Sequence, residues 1–218
     1  MSWTDIAIPL AFLLVLGGMA FLLVKGGQKA DSVRAAAAMA AGYTYTPKKE
    51  AKAIMPGMAC NFQYRLSGTL PDGSSWHMDS HYEFVRENKR LMAFTRWSAP
   101  IGRGTVLLLP PLRGVSLSAM GGMLRSFGMD LDMDISKLAP VQNTTGFDAY
   151  ADDAVYAVRL LSENATALSR YAATYAGARQ PVITIQNGRC VIHASWNAGK
   201  PDDMIALAKL GIALARSL

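Results

Sequence analysis

The sequence predicts an α+β fold: an N-terminal transmembrane helix, then one domain built on an antiparallel sheet with its helices grouped on one face. Three observations predict it. An uncharged apolar run fills residues 6–24. Beyond it, segments with period-2 alternation flank turn sequences of the hairpin type. The helical segments come in groups between strands rather than alternating with them one for one, which argues against a parallel sheet.

The apolar run reads IAIPLAFLLVLGGMAFLLV, 19 residues bounded by Asp5 and Lys25. At 1.5 Å per residue it makes about 28 Å of helix, close to the ~30 Å hydrocarbon core of a bilayer. Trp3 stands at one edge, where an indole suits the headgroup interface. Pro9 falls near the start, where a missing N–H costs least. A cleaved signal peptide would need a basic leader and an apolar core of about 7–15 residues. MSWTD holds no Lys or Arg, and the run is too long.

Lys25, Lys29 and Arg34 follow the run, with only Asp31 against them. The positive-inside rule therefore places the C-terminal side in the cytoplasm, in bacterial terms beneath the inner membrane. The expected organisation is a short non-cytoplasmic tail at 1–5, the span at 6–24, a linker at 25–30 and a cytosolic α+β domain at 31–218. Within the run, Gly17, Gly18 and Ala20 form a small-residue patch. Such patches let helices approach closely in lipid, which makes these residues candidate partner contacts.

Asp31-Ser32 can cap a helix over 31–41, and Gly42 is a natural residue to end it. YTYTP then reads as a short strand stopping at Pro47, and KKEAKAIMPG as a basic connection. Residues 61–84 alternate on either side of Leu70-Pro71-Asp72-Gly73-Ser74, a hairpin signal. Further strands are expected at 91–97 and 105–109, with a resumption after Pro110-Pro111 at 114–118. Residues 120–140 read as irregular and 147–150 as extended.

A helix is expected over 152–161, with Val155, Val158 and Leu160 or Leu161 turned inward. A second helix from Ser162 carries Ala165, Leu168, Tyr171, Ala172 and Tyr175 on one stripe and ends at Gly177. Asn187-Gly188 between two apolar runs is a strong hairpin signal. Pro201-Asp202-Asp203 opens the last helix, with its acids at the start and Arg216 at the end, as the helix dipole favours.

The anchor, the short helix, the alternating strands and then Phe147-x-x-Tyr150-Ala151-x-Asp153 leading into Leu160-Leu161-Ser162 resemble a loose class of bacterial single-span membrane proteins. These carry an uncharacterised cytosolic α+β domain. The resemblance implies the same layout and transfers no catalytic residue.

Composition narrows the function. Hydrophobic residues make up 51% and charged residues 17%, which excludes a disordered chain. Two cysteines, Cys60 and Cys190, are too few for a disulfide scaffold or a four-cysteine zinc site. After position 30 the apolar residues come in short pieces, which excludes a multi-span transporter.

His77-x-Asp79-x-His81 is the sharpest constellation. On a strand these three side chains share one face, and two imidazoles with a carboxylate are ligands for Zn²⁺ or Fe²⁺. Same-face neighbours lie about 7 Å apart along the strand, so a metal would need a further group from elsewhere. The plainer expectation is a polar outer face, with Trp76, Met78, Ser80 and Tyr82 turned the other way. Asp130-x-Asp132-x-Asp134 fails as a calcium loop, because Ile135 and Val141 stand where Gly and Glu are required. Either cysteine could pair with a histidine as a nucleophile, but no flanking signature supports it. Neither IGRGT nor GGMLRSFG meets the P-loop spacing.

The net charge of +6 is spread along the chain without a nucleic-acid-binding motif. For a tethered chain, anionic lipid headgroups of the bilayer are the nearer partner, and no nucleic acid is expected. Met120, Met123, Leu124, Phe127 and Met129 form a Gly-punctuated apolar stretch. Flexible thioethers suit adaptable contact surfaces, so these residues are candidate partner contacts, set against a role as core cover.

No heme, chlorophyll or iron–sulfur motif is present, and no cofactor is expected. The expected function is non-enzymatic: an accessory or structural subunit on the cytoplasmic face of a larger integral membrane protein complex, photosynthetic or respiratory. The alternatives are a tethered metal-dependent hydrolase using His77, Asp79 and His81, or a lipid or small-ligand binding protein.

Overall fold

The computed structural model describes residues 25, 27–47, 61–85, 90–100, 104–111 and 133–217. The apolar run with Gly17, Gly18 and Ala20 lies outside the described residues. So do the stretch with Met120, Met123, Leu124, Phe127 and Met129, and the strand expected at 114–118. No helix among the described residues is long and apolar enough to cross a membrane.

The chain folds as α+β around one nine-stranded antiparallel sheet. The strands are β1 (Thr44–Pro47), β2 (Asn61–Thr69), β3 (Ser75–Val85), β4 (Arg90–Pro100) and β5 (Val106–Leu109). They continue with β6 (Ala139–Val141), β7 (Asp148–Ala151), β8 (Val182–Gln186) and β9 (Arg189–Ala194). Their order across the sheet is β1-β2-β3-β4-β9-β8-β5-β7-β6. Both expected hairpins form. The first turns on Gly73 at φ +85°, with Asp72 accepting from the Ser74 N–H at 2.9 Å. The second turns on Asn187 and Gly188 at φ +50° and +68°, the double left-handed geometry of a tight hairpin.

The register aligns one apolar row across all nine strands: Tyr45, Leu66, Met78, Trp97, Ile192, Ile183, Leu108, Ala149 and Val141. This face shares one hydrophobic core with four helices. They are α1 (27–40), α2 (Ala154–Glu163), α3 (Ala165–Thr174) and α4 (Pro201–Arg216). α4 lies directly on Trp97, so closely that a Cβ on Gly211 would sit 2.3 Å from the indole. Gly211 is therefore where the helix axis can approach the sheet.

Three local expectations are corrected. The stretch read as a linker, residues 25–30, is helical wherever it is described, and Asp31 lies inside α1 rather than capping it. α1 ends as expected at Gly42, φ +79°, with the Tyr43 N–H donating to the Ala38 carbonyl at 2.8 Å. In α2, Val155 and Val158 face outward, 82% and 52% exposed, while Ala157, Leu160 and Leu161 are buried. The helix also starts later than expected, at Ala154, where Asp153 caps it by accepting from the Val155 and Tyr156 N–H groups. Asp152 is instead committed to the Thr105 N–H at 3.0 Å. Finally, β4 runs to Pro100, beyond the strand expected at 91–97.

Candidate functional site

Strand alternation puts all three histidines of the chain on the sheet face opposite the helices. One position along from the apolar row runs a second row: Thr46, Arg65, Asp79, Arg96 and His193, paired in that order from β1 to β9. His77 and His81 flank it on β3, opposite Ser98 and Phe94.

The chemistry of this face is set by Arg65. Its Nε and Nη2 donate to both Asp79 carboxylate oxygens, at 2.6 and 2.9 Å. The hydrogen bond to Asp79 holds the Arg65 pKa above its ordinary value. Both oxygens of this carboxylate are therefore already engaged by a cation, which competes with any metal for them. His77 Nε2 lies 3.4 Å from Ser98 Oγ and 3.9 Å from Asp79 Oδ2. Burial pushes the His77 pKa down, against the pull of Asp79. A serine–histidine–aspartate relay needs the two ring nitrogens to face the hydroxyl and the carboxylate separately. Here both groups meet the same nitrogen, so no relay is set up.

His193 is buried at 7% exposure, and neither ring nitrogen has a hydrogen-bond partner among the described residues. Its ring packs on Phe94 at 5.1 Å, and Phe94 separates it from His81 at 5.8 Å. Burial, reinforced by Arg96 and His81, pulls its pKa down to about 3. Among the described residues no group of three His, Cys, Asp or Glu side chains is placed to hold a metal ion.

Cys190 is fully buried, and burial pushes its thiol pKa up. It pairs with Ala99 in the sheet and belongs to the helix-side core, whereas His193 is on the other face, so the two do not meet. Cys60 lies outside the described residues. Asp134 caps a short 3-10 turn through Ser136, at 3.2 Å to its N–H and 2.6 Å to its hydroxyl. A cleft of about 460 Å³ between the end of α1, the first hairpin and α4 is lined by Tyr43, Gly68, Trp76, Lys209 and Arg216 among others. It lies at the surface rather than inside the sheet.

A second cluster has no counterpart in the sequence reading. It fastens α1 to the domain. Asp31 Oδ1 accepts from the Tyr45 hydroxyl at 2.7 Å and from Arg34 Nη1 at 3.0 Å. Arg34 Nε donates to the Gly199 carbonyl at 2.9 Å, and its guanidinium lies 5.4 Å from the Tyr64 ring centre. One turn further on, Ala38 is fully buried in the core.

The loop that receives Arg34 is itself strapped down. Tyr64 donates to the Ala198 carbonyl at 2.7 Å, Ser80 to Asn197 at 2.9 Å, and the Ala198 N–H to Thr95 Oγ1 at 3.0 Å. Beside it, Trp196 stacks on Tyr175 at 5.8 Å and carries the Arg179 guanidinium 5.2 Å from its ring centre. Tyr175 donates to the buried Asp203 at 3.0 Å, and burial together with that bond pushes its phenol pKa up to about 12. Sequence patterning could not find this cluster, since Arg34 and Gly199 are 165 residues apart.

The geometry defines an α+β domain with a fastened leading helix and, on the sheet face away from the helices, a polar row across β1, β2, β3, β4 and β9. No protein-family model matches the chain, and no curated protein matches it. Among solved structures, the chain is similar to the mycobacterial trehalose monomycolate transport factor A, TtfA. The identity is 13% and the TM-score 0.46, over 87% of this chain and 96% of that one. A likeness at that level carries no argument about function.

Proposed function

We propose that this chain is a non-enzymatic, single-span membrane protein whose cytoplasmic domain serves as an accessory subunit docked on a larger membrane protein complex. The observation that carries this reading is the fastening of α1. The apolar run ends at Val24, and the helix present from residue 27 is locked to the sheet through Asp31, Arg34, Tyr45 and Gly199. A domain on a flexible tether samples many orientations and loses that freedom on binding, at about 1–2 kcal/mol per residue fixed. A domain on a fastened helix has lost it already. Such preorganisation favours a docked subunit.

The hydrolase reading needs an available carboxylate between His77 and His81, and Arg65 occupies Asp79. Metal analysis of the purified chain checks this, with no stoichiometric zinc or iron expected. The test of the main proposal is extraction of the tagged full chain from its native membranes in mild detergent. Recovery in a larger particle of fixed composition is expected; recovery only as a monomer would contradict it.

A further inference from the structure

We infer that α1 acts as a strut that sets one end of the domain, the end carrying Arg179, Trp196 and Lys200, onto the anionic headgroups of the bilayer. This rests on reading residues 6–24 as a membrane span.

The direction of α1 sorts the domain into two ends. Its first turns meet Tyr45 and the loop at Gly199. Its last turn gives way at Gly42 to Tyr43, which packs edge-on against Trp76 at 5.0 Å. α4 runs the same way: it starts beside Gly199 at Lys200, and Arg216 in its last turn shares a cleft with Gly42 and Tyr43. The near end therefore holds the loop with Trp196, the 3-10 turn Gly177–Arg179 and the start of α4. The far end holds the β2–β3 turn and the end of α4.

Chain length fixes the distance. From Val24 to residue 27 is three steps, at most about 11 Å even if fully extended. From residue 27 to Asp31 is about 6 Å of helix. Asp31, and with it the Tyr45 hydroxyl, lies within about 17 Å of the end of the apolar run. The headgroup layer takes up roughly 5–8 Å of that. What remains is about one Debye length at physiological salt, within which lipid charge is felt.

The residues presented there suit that surface. Lys29 and Lys200 are exposed, and the Arg179 side chain is 55% exposed. Trp196 is half-buried with its ring held between Tyr175 and Arg179, an aromatic with a cationic neighbour, the pairing favoured where a protein meets a headgroup surface. Of the acids nearby, Asp31 is bound to Arg34 and Tyr45, and Asp203 is buried against Tyr175 with an oxygen 4.0 Å from Arg179, which leaves Asp202 exposed. Charge alone does not select this end, because Lys209 and Arg216 lie at the other. The direction of α1 does.

The test uses the full chain in nanodiscs containing anionic lipid and a quencher attached to the headgroup. Cys60→Ser is the background, since Cys190 is buried and unreactive. A fluorophore is placed at Lys200→Cys or at Arg216→Cys, positions about 24 Å apart along α4, each removing one positive charge. Quenching about twofold or more stronger at position 200 is expected. A flexible Gly-Ser insert after Lys25 should bring the two positions level, and purely zwitterionic lipid should weaken the difference. Equal quenching without the insert, or stronger quenching at position 216, with the chain firmly in the disc, would overturn the orientation alone. Loss of the chain from the disc in an alkaline wash would overturn the span reading and the inference with it.

Discussion

Two rows of residues cross the same sheet one position apart, and they do opposite work. The row through Leu66, Met78, Trp97 and Ile192 is apolar over all nine strands and joins the four helices in one core. The row through Arg65, Asp79, Arg96 and His193 begins with a clamped ion pair between β2 and β3 and ends in a buried, neutral imidazole on β9. Strict alternation makes both rows from the same strands. The apolar row fixes the fold. The polar row carries the titratable groups; Arg65 and Asp79 are committed to each other, His193 is buried, and Arg96 is exposed. The difference teaches that a cluster of histidines and a carboxylate on one face is a site only if its members are free, and here Arg65 decides that they are not.

The comparison breaks most sharply on the apolar row. Replacing a mid-helix glycine with alanine ordinarily stabilises by about 1 kcal/mol. At Gly211 the added methyl would enter the buried Trp97 indole, and overpacking costs of about 1–3 kcal/mol or more prevail. Gly211→Ala should therefore lower stability by about 2 kcal/mol in urea unfolding; a gain would show that α4 can withdraw from the sheet.

On the polar row the largest effect is at His193. Unfolded, its ring titrates near 6.5; folded, burial holds it to about 3. Between these values the unfolded chain takes up a proton that the folded chain refuses. Stability from this group is thus complete above pH 6.5 and falls as pH drops toward 3, by up to about 1.4 kcal/mol per unit. His193→Phe, which keeps a ring against Phe94, should flatten this slope in unfolding curves taken from pH 7 to 4. An unchanged slope would place the acid sensitivity elsewhere.

A smaller effect is expected from Asp79→Asn. The pair with Arg65 is partly exposed, and its loss should cost about 1 kcal/mol. The same change removes the charge that raises the His77 pKa, so an NMR titration should show His77 shifting further down. The smallest is at Val155 and Val158: because both are exposed, serine at either position should change thermal stability by less than about 0.5 kcal/mol. A loss near 2 kcal/mol would mean that they are buried after all.

Much of the fold was legible because it is local. Asn187-Gly188 and Pro71-Asp72-Gly73 dictate their hairpins through φ alone, and Gly42 ends α1 for the same reason. The stripe through Leu168, Tyr171 and Tyr175 declares its buried face by period. α2 misled because Val155 and Val158 lie on the opposite side of the helix from Ala157, Leu160 and Leu161, and packing buries the second set, so only the leucine of the expected stripe is inside. The grouping of His77, Asp79 and His81 was also legible, as strand alternation requires. Its neighbours were not. Arg96 meets His193 through a register between strands almost a hundred residues apart, and Ser98 reaches His77 across β4. The fastening of α1 was hidden for the same reason: Asp31 and Arg34 read as a cap and a flanking charge, and only the distant Tyr45 and Gly199 show that they tie the helix to the domain.

The central claim is that a fastened helix holds the domain for docking. Its most direct test is to insert a flexible Gly-Ser stretch after Lys25 and measure co-purification from native membranes in mild detergent. The account predicts that the variant stays in the membrane, folds normally and loses most of its partner complex. A variant that co-purifies as fully as the unaltered chain would contradict it.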